Sequence, residues 1–282
     1  MINQFPHKLV LAASLLMVSM QGLAETNKQP LVPLASISDY ALGDGWSGIY
    51  GIKLESLPAY AGAKKYTLEI KPEVAIQWRQ GEYSVFLEGS GINGIELGWR
   101  GLLQPNWLAQ TGLRHETVLP SGDTEAADID NFPHRGSHIL VFFENHYALS
   151  NNWKSWLGSR IEAGPDSFGY RAKISVGHGL VQKGDGAGID MVLFSSFGDK
   201  KNLNNYFGVS EEDAAASGLQ VSELKGGYRS SGLNLIYRTS LKSGKQIKLQ
   251  AGIEAYGDEV KKSALVTNDI ETRVALSYLW RY

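Results

Sequence analysis

Cysteine is absent from this chain of 282 residues, which excludes disulfide bonds and thiolate chemistry. Long apolar runs are also missing, because no stretch after residue 24 approaches the roughly 18 apolar residues of a membrane-spanning helix. The net charge is only −2, so the chain has no overall attraction for nucleic acid and we predict no such partner. Proline is sparse at 9 residues, whereas glycine (32) and tyrosine (13) are frequent. The lack of long apolar runs excludes a helical membrane protein.

The first 24 residues have the pattern of a secretory signal peptide. His7 and Lys8 precede an apolar run from Leu9 to Met20, and the small-residue sequence Gly22-Leu23-Ala24 follows as a cleavage site. The run is too short for a membrane-spanning helix, which needs about 20 residues. We predict that residues 1–24 are removed on export and, since no cysteine follows, that no lipoprotein anchor is attached.

Apolar and polar residues alternate clearly from residue 66 onward. Between residues 66 and 79, one face carries apolar groups such as Leu68 and Ile70, and the other carries charges such as Lys71. Strand side chains alternate in this way, and tilted membrane strands need about 9–11 residues. Twelve such segments are predicted, at residues 46–55, 66–79, 83–89, 94–103, 107–117, 137–147, 153–163, 168–177, 188–197, 228–239, 246–256 and 271–282.

The predicted fold is all-β: a transmembrane antiparallel up-and-down β-barrel of about 12 strands over residues 46–282, after a periplasmic N-terminal segment at residues 25–45. An even strand number is typical of closed bacterial barrels. Ten strands is the alternative, because Gly89, Gly91 and Gly94 allow one bent strand in place of two. A soluble periplasmic barrel or sandwich is the rival fold.

The last predicted strand carries the clearest membrane signal. Its apolar face consists of Val274, Leu276, Tyr278, Trp280 and Tyr282. An aromatic-rich apolar face of this kind suits the lipid side and the interface of an outer-membrane barrel. We predict that this strand closes the barrel and is recognised for insertion.

The connections and the tryptophans give an orientation. With short turns on the periplasmic side, the long connections 118–136, 198–227 and 257–270 all fall on the outer side, as expected for such barrels. Five tryptophans lie near predicted periplasmic strand ends, namely Trp46, Trp78, Trp107, Trp153 and Trp280. Indole rings prefer the headgroup layer, so these residues are predicted to form an aromatic girdle in contact with the bilayer.

The inner face of the predicted barrel carries charges of both signs, including Lys71, Glu73, Arg160, Glu162 and Arg171. A barrel of this size has a narrow lumen that side chains can largely fill. An unpaired charge out of water is costly, so we expect most of these groups to pair across strands. A polar pore for small solutes is the alternative.

One loop holds the only arrangement that resembles a catalytic site. His134 and His138 follow the acidic residues Asp123, Glu125, Asp128 and Asp130, so an acid–histidine site at the outer rim is geometrically possible. A solvated loop of surface charges is the simpler interpretation, and the spacing of a dedicated calcium loop is missing. We therefore predict no enzyme, no metal and no cofactor.

The most distinctive segment is 206–219, in the long connection before the tenth strand. Ser210 with Asp213 three positions later indicates a helix start, and Gly218 indicates its end. The segment resembles the late loop of the MipA/OmpV family of outer-membrane proteins, through Tyr206, Phe207, Gly208, Val209, Ser217, Gly218 and Leu219. Pro58-Ala59-Tyr60-Ala61-Gly62 and Tyr256-Gly257-Asp258 agree with that family. The chain departs from it at Gln220-Val221 and at Ser263-Ala264.

The resemblance implies a scaffold role in the outer membrane of a Gram-negative bacterium. Members are described as bringing a membrane-bound lytic transglycosylase together with a bifunctional murein synthase, and some are treated as porin-like or antibiotic-responsive proteins. No catalytic residues belong to the family. The functional hypothesis is a monomeric barrel that binds peptidoglycan enzymes; a porin-like channel for small solutes or antibiotics is the alternative, and a rim-located hydrolase is a third.

Overall fold

Twelve antiparallel strands form one closed barrel. Their bounds are β1 Gly45–Pro58, β2 Tyr66–Gln80, β3 Tyr83–Ser90, β4 Glu96–Gln104, β5 Trp107–Thr117, β6 Ser137–Ala148, β7 Ser155–Ala163, β8 Tyr170–Gln182, β9 Gly188–Gly198, β10 Gly227–Ser240, β11 Lys245–Tyr256 and β12 Ile270–Arg281. Each strand pairs with its neighbours in the chain, and β12 pairs with β1 to close the barrel. The prediction of twelve strands is confirmed.

The structure is a computed structural model that describes residues 44–91, 94–118, 132, 135–150, 153–165, 167–182, 187–241 and 244–281. Several predictions fall outside these residues, namely those on the signal peptide 1–24, on residues 25–43, on the acidic residues 123–130, on His134 and on Tyr282.

The alternative of ten strands fails because β3 and β4 are separate strands. Phe86 lies opposite Gly98, and Glu88 lies opposite Glu96. Gly91 and Gly94, whose φ angles are +69° and +84°, form the reversal between them. Glycine adopts this left-handed conformation without the steric cost that a β-carbon would bring.

The outer face of the barrel is an exposed apolar band. Ile70 is 74% exposed, and Val274 and Leu276 of β12 also point outward and are exposed. A soluble barrel would not leave so large an apolar area in water, whereas a bilayer requires it. The barrel is therefore of the transmembrane kind, as predicted. Within the described ranges no helix is long and apolar enough to cross a membrane.

The two ends of the barrel differ in their connections. At one end, here named the turn end, short links such as 81–82 and 105–106 join the strands; at the other, the loop end, the connections 118–136, 199–226 and 257–269 are long. In barrels of this class the short turns face the periplasm. The turn after β8 begins at residue 183 rather than 177, because β8 continues to Gln182 through a bulge between Gly179 and Val181.

Candidate functional site

A hydrophobic core made by the outer loops covers the loop end of the barrel; we name it the cap. Its buried residues are Tyr60, Ala63, Val118, Phe132, Leu140, Phe168, Leu203, Tyr206, Phe207, Val209, Leu224, Tyr256, Val260 and Leu265. Leu140 and Tyr256 belong to strands, and the rest come mostly from five different loops. Burial of this much apolar surface holds the loops together across the barrel mouth.

Two short helices in the connection 199–226 form the centre of the cap. Helix α1 (Lys200–Phe207) begins at Asp199, whose carboxylate accepts the backbone N–H of Asn202 at 2.7 Å. Helix α2 (Glu211–Ser217) begins with a capping box of Ser210 and Asp213 and ends at Gly218. Start and end of α2 are as predicted, whereas α1 was missed in the sequence, although Leu203, Tyr206 and Phe207 have helical apolar spacing.

All three segments that resemble the MipA/OmpV family meet in the cap. Tyr206, Phe207 and Val209 are buried in it, and Leu219 packs against it. Gly208 ends α1, where a β-carbon would lie 2.7 Å from the Asn204 carbonyl oxygen. Ser217 donates its hydroxyl to the Asp213 carbonyl at 2.6 Å. These residues build the cap itself rather than an exposed binding surface.

The other two segments are tied to the same core. Tyr60 and Tyr256 are both buried in it, and the Gly62 N–H donates to the buried carboxylate of Glu271 on β12. Ser263, one of the departures from the family, donates its hydroxyl to the Phe207 carbonyl. Loops 59–65 and 257–269 are therefore joined both to the barrel wall and to α1.

Arg135 clamps the loop 118–136 onto the two helices. Its Nη1 donates to the carbonyl oxygens of Asn204 at 2.6 Å and Asn205 at 2.8 Å. Its Nη2 donates to the Gly208 carbonyl at 2.6 Å and to the Asp213 carboxylate at 2.8 Å. Burial lowers the pKa of Arg135, and the Asp213 carboxylate opposes that effect. The guanidinium supplies charge-assisted hydrogen bonds to the carbonyls at the end of α1, and the Asn204 carbonyl also accepts the Gly208 N–H at 2.9 Å.

Tyr206 links the cap to the charges of the lumen. Its hydroxyl donates to the Glu116 carboxylate and accepts from Nη1 of Arg171 at 2.7 Å. Burial raises the pKa of Tyr206 well above its usual value; Arg171 opposes that shift and the Glu116 carboxylate adds to it. The phenol is therefore held in its neutral form as a fixed hydrogen-bonding bridge.

The lumen wall from β3 to β8 is an arginine–glutamate network. Arg160 contacts Glu96 and Glu144 at 2.7 Å and Glu162 at 2.8 Å. The same pattern continues through three further ion pairs, namely Arg100–Glu88, Arg114–Glu96 and Arg171–Glu116. The predicted cross-strand pairing of the inner charges is confirmed here, and these large side chains fill this half of the lumen.

The opposite wall is also paired, but more sparsely. Lys71 lies 2.7 Å from Glu55. Glu73 pairs with Lys248 and accepts the Ser277 hydroxyl at 2.6 Å. Gly232 and Gly252 stand on the inner face in the same sector, so less side-chain volume fills it.

At the turn end, tryptophans are placed in two ways. Trp46, Trp78 and Trp107 are exposed on the outer face, and Trp280 of β12 stacks on Tyr50 with ring centroids 5.6 Å apart. Their contact with lipid headgroups stays a prediction. Trp153 does not belong to such a girdle, because it is completely buried.

The burial of Trp153 has a local cause. Its φ angle of 56° turns the residue inward, and its indole N–H donates to the Pro105 carbonyl at 3.0 Å. It packs in the turn-end cluster of Leu108, Ala148, Trp153 and Trp156. The indole of Trp153 therefore packs against the turn end of the barrel instead of contacting lipid.

The hypothetical rim hydrolase is not assembled in the described part of the chain. His138 packs against Phe168 with ring centroids 5.5 Å apart, and its Nε2 has no hydrogen-bond partner. His134 and the acidic residues 123–130 lie outside the described residues. No group of three or more His, Cys, Asp or Glu within those ranges could hold a metal ion.

A family model and several solved structures are similar to this chain. Residues 50–282 match the family model described as MltA-interacting protein MipA. No curated protein matches the sequence. Among solved structures, an outer-membrane channel from Pseudomonas putida F1 is similar, with 12% identity, a TM-score of 0.49, and coverage of 86% of this chain and 98% of that one.

Two further solved structures are similar at 7% identity. CymD, a monoaromatic hydrocarbon channel, has a TM-score of 0.47, and the similarity covers 93% of this chain and 94% of the CymD chain. The toluene transporter TodX of Pseudomonas putida has a TM-score of 0.43, with coverage of 92% and 94%.

Proposed function

This chain belongs to the MipA family, whose model it matches over residues 50–282, and from that premise we propose that it is an outer-membrane scaffold. In this role the barrel binds a lytic transglycosylase and a murein synthase at its periplasmic end and performs no chemistry of its own. The family description, MltA-interacting protein, names a partner of this kind. Export by a signal peptide cleaved after Ala24 and a monomeric barrel are parts of the same proposal.

The observation that carries the proposal is the capped and partly filled interior of the barrel. The cap lies across the loop end and is bonded to inward-facing residues on several strands, such as Glu116, Arg171 and Glu271. The arginine–glutamate network occupies the half of the lumen below it. A barrel closed in this way is suited to presenting a surface rather than to passing large amounts of solute.

Leu149, at the turn end of the barrel, is the best-defined candidate for the partner surface. Its N–H donates to the Ser155 carbonyl at 2.8 Å, and Trp153 is buried in the adjoining turn-end cluster. Leu149 itself is 56% exposed. An exposed apolar side chain on a hydrogen-bonded backbone is a favourable docking element, because little conformational entropy is lost on binding.

A capture experiment tests the proposal. The purified full-length barrel in detergent is immobilised and exposed to purified lytic transglycosylase and murein synthase. Leu149→Asn should weaken capture, whereas Val221→Asn, at a residue of nearly equal exposure (55%) at the loop end, should not. Removal of residues 25–43 tests the N-terminal segment separately. Failure of the unmodified barrel to capture either enzyme would refute the scaffold role.

A solute channel is the second candidate, and one observation favours it. Lys173 and Arg273 point into the lumen and yet are solvent-exposed, with 57% of the Arg273 side chain accessible. The lumen therefore contains space on the β8–β12 side. Planar-bilayer conductance distinguishes the two functions, because a channel gives stable open steps and a capped scaffold does not.

A further inference from the structure

Two cations on the inner face have no anionic partner among the described residues. The Lys173 ammonium lies 4.4 Å from the centroid of the Phe194 ring, and no hydrogen bond or ion pair accompanies this contact. The Arg229 guanidinium lies 4.5 Å from the Tyr206 ring and 5.1 Å from the Phe207 ring. Its Nε is buried without a hydrogen-bond partner. An unpaired buried donor costs free energy that a bound acceptor can recover.

The neighbouring cations, in contrast, form ion pairs with glutamates. Arg160, which lies directly opposite Lys173 in the strand register, is bonded to three glutamates. Arg171, one inward position closer to the cap, is bonded to Glu116 and Glu162. Since pairing is the rule on this wall, the free donors of Lys173 and Arg229 are a local exception.

The strand register places the two cationic residues two strands apart, near the loop end of the barrel. Lys173 lies opposite Ser196 on β9, which lies opposite Ser230 on β10. Arg229 precedes Ser230, so the two cationic positions are two strands apart, roughly 10 Å between backbones. Lys173 is exposed in spite of its inward direction, so solvent-accessible space lies in front of it. Long side chains converging from this separation can bind one small ligand.

The walls of this space explain both its volume and its polarity. Phe194 lies across Gly232, where a β-carbon would be only 2.6 Å from the ring, so the ring is held flat under Lys173. The Ser196 and Ser230 hydroxyl groups lie 2.5 Å apart between the cations. Glu254 accepts the Ser230 hydroxyl at 2.5 Å. Glu144, Glu254 and Glu162 attract Lys173 only from beyond ion-pair distance.

We propose that this space, bounded by Lys173, Phe194 and Arg229 beneath the cap, is a binding site for a small solute with an oxyanion group, a phosphate or a carboxylate. Lys173 supplies a point charge and Arg229 supplies a planar set of donors, a combination that suits both groups. The aromatic rings hold the two cations in place without neutralising them. The site is independent of the scaffold role, because it lies inside the barrel.

The test is calorimetric titration of the full-length barrel in detergent with inorganic phosphate and, separately, with acetate, each against chloride at equal ionic strength. Saturable binding of at least one oxyanion is expected. Lys173→Gln and Arg229→Gln should each weaken it by at least about tenfold. Lys200→Gln, which removes an exposed cation on the cap paired with Glu223, should leave it unchanged.

A conservative variant distinguishes the loss of a binding group from misfolding of the barrel. Lys173→Arg keeps the charge, so it should bind within about threefold of the unmodified barrel, while all variants are checked for heat-modifiable migration as folded barrels. The preferred oxyanion identifies the ligand class. Absence of saturable binding of both anions, or equal weakening by Lys173→Gln and Lys200→Gln, would overturn the proposal.

Discussion

The guanidinium of Arg135 lies 2.8 Å from the carboxylate of Asp213, across 78 positions of sequence. Through this contact and three backbone carbonyls, one side chain joins the loop after β5 to both helices of the cap. The closed loop end thus depends on a few polar clamps as well as on apolar burial.

Arg135→Met should loosen the cap and leave the barrel folded. The methionine keeps an apolar side chain of similar length but removes the guanidinium that lies 4.9 Å from the centroid of the Phe132 ring and donates to three carbonyls and one carboxylate. A loss of roughly 3 kcal/mol in local stability is expected, or about a hundredfold more frequent opening. Amide hydrogen exchange in α1 measures it. Lys200→Met, whose pair with Glu223 is exposed, should leave the exchange unchanged; equal effects of both variants would contradict the clamp.

The Tyr206 hydroxyl should lose its proton at a higher pH than an ordinary tyrosine does. Its pKa is raised in the folded state, so the stability that its neutral form contributes is complete below the unfolded pKa of about 10 and is lost as pH rises above it. The difference in 295 nm absorbance between the unmodified barrel and Tyr206→Phe isolates this residue. The difference should develop well above pH 10; a midpoint at the ordinary tyrosine value would contradict the buried bridge.

Arg160→Gln should be strongly destabilising. Three carboxylates, those of Glu96, Glu144 and Glu162, lose their shared partner, and breaking a buried ion pair costs about 3–5 kcal/mol. Urea unfolding in lipid vesicles measures the loss. The matched control Arg229→Gln removes an inner-face guanidinium that has only aromatic contacts, so about 1–2 kcal/mol is expected. Similar losses in the two variants would argue against the network.

Gly177→Ala should disturb the turn end. A β-carbon there would lie 2.1 Å from Cε2 of Trp156, so the ring must move, at a cost of about 1–3 kcal/mol. The double variant Gly177→Ala with Trp156→Leu removes the clash. Its loss of unfolding free energy should therefore be smaller than the sum of the two single losses. Additive losses would mean that glycine and indole are not in contact.

The sequence predicts the barrel well because alternation is a local property. Most strands show it over enough residues to be recognised, and most boundaries differ by only a few positions. The region of β3 and β4 leaves ten or twelve strands open, because Gly89, Gly91 and Gly94 interrupt the pattern. Helix α2 is predicted from a local pattern as well, since its capping box is contained in a short segment. Helix α1 leaves a weaker signal: Asp199 as a start and three apolar residues with helical spacing.

The contacts that close the barrel are not predictable in this way. Arg135 meets α1 and α2 only because the loops fold over the mouth, and no local pattern marks it. Trp153 has the sequence position of a girdle residue, but its backbone φ angle sends it inward. Lys173 and Arg229 lack anionic partners because of the neighbours that the strand register and the bulge between Tyr228 and Ser230 give them.

The central claim is that the barrel is closed by its cap and lumen network and acts by binding. Single-channel recording of the purified full-length protein in planar bilayers tests it most directly. The account predicts no stable open steps for the unmodified barrel and the appearance of conductance when residues 199–226 are replaced by a short flexible linker. Regular, long-lived conductance steps from the unmodified protein would contradict it.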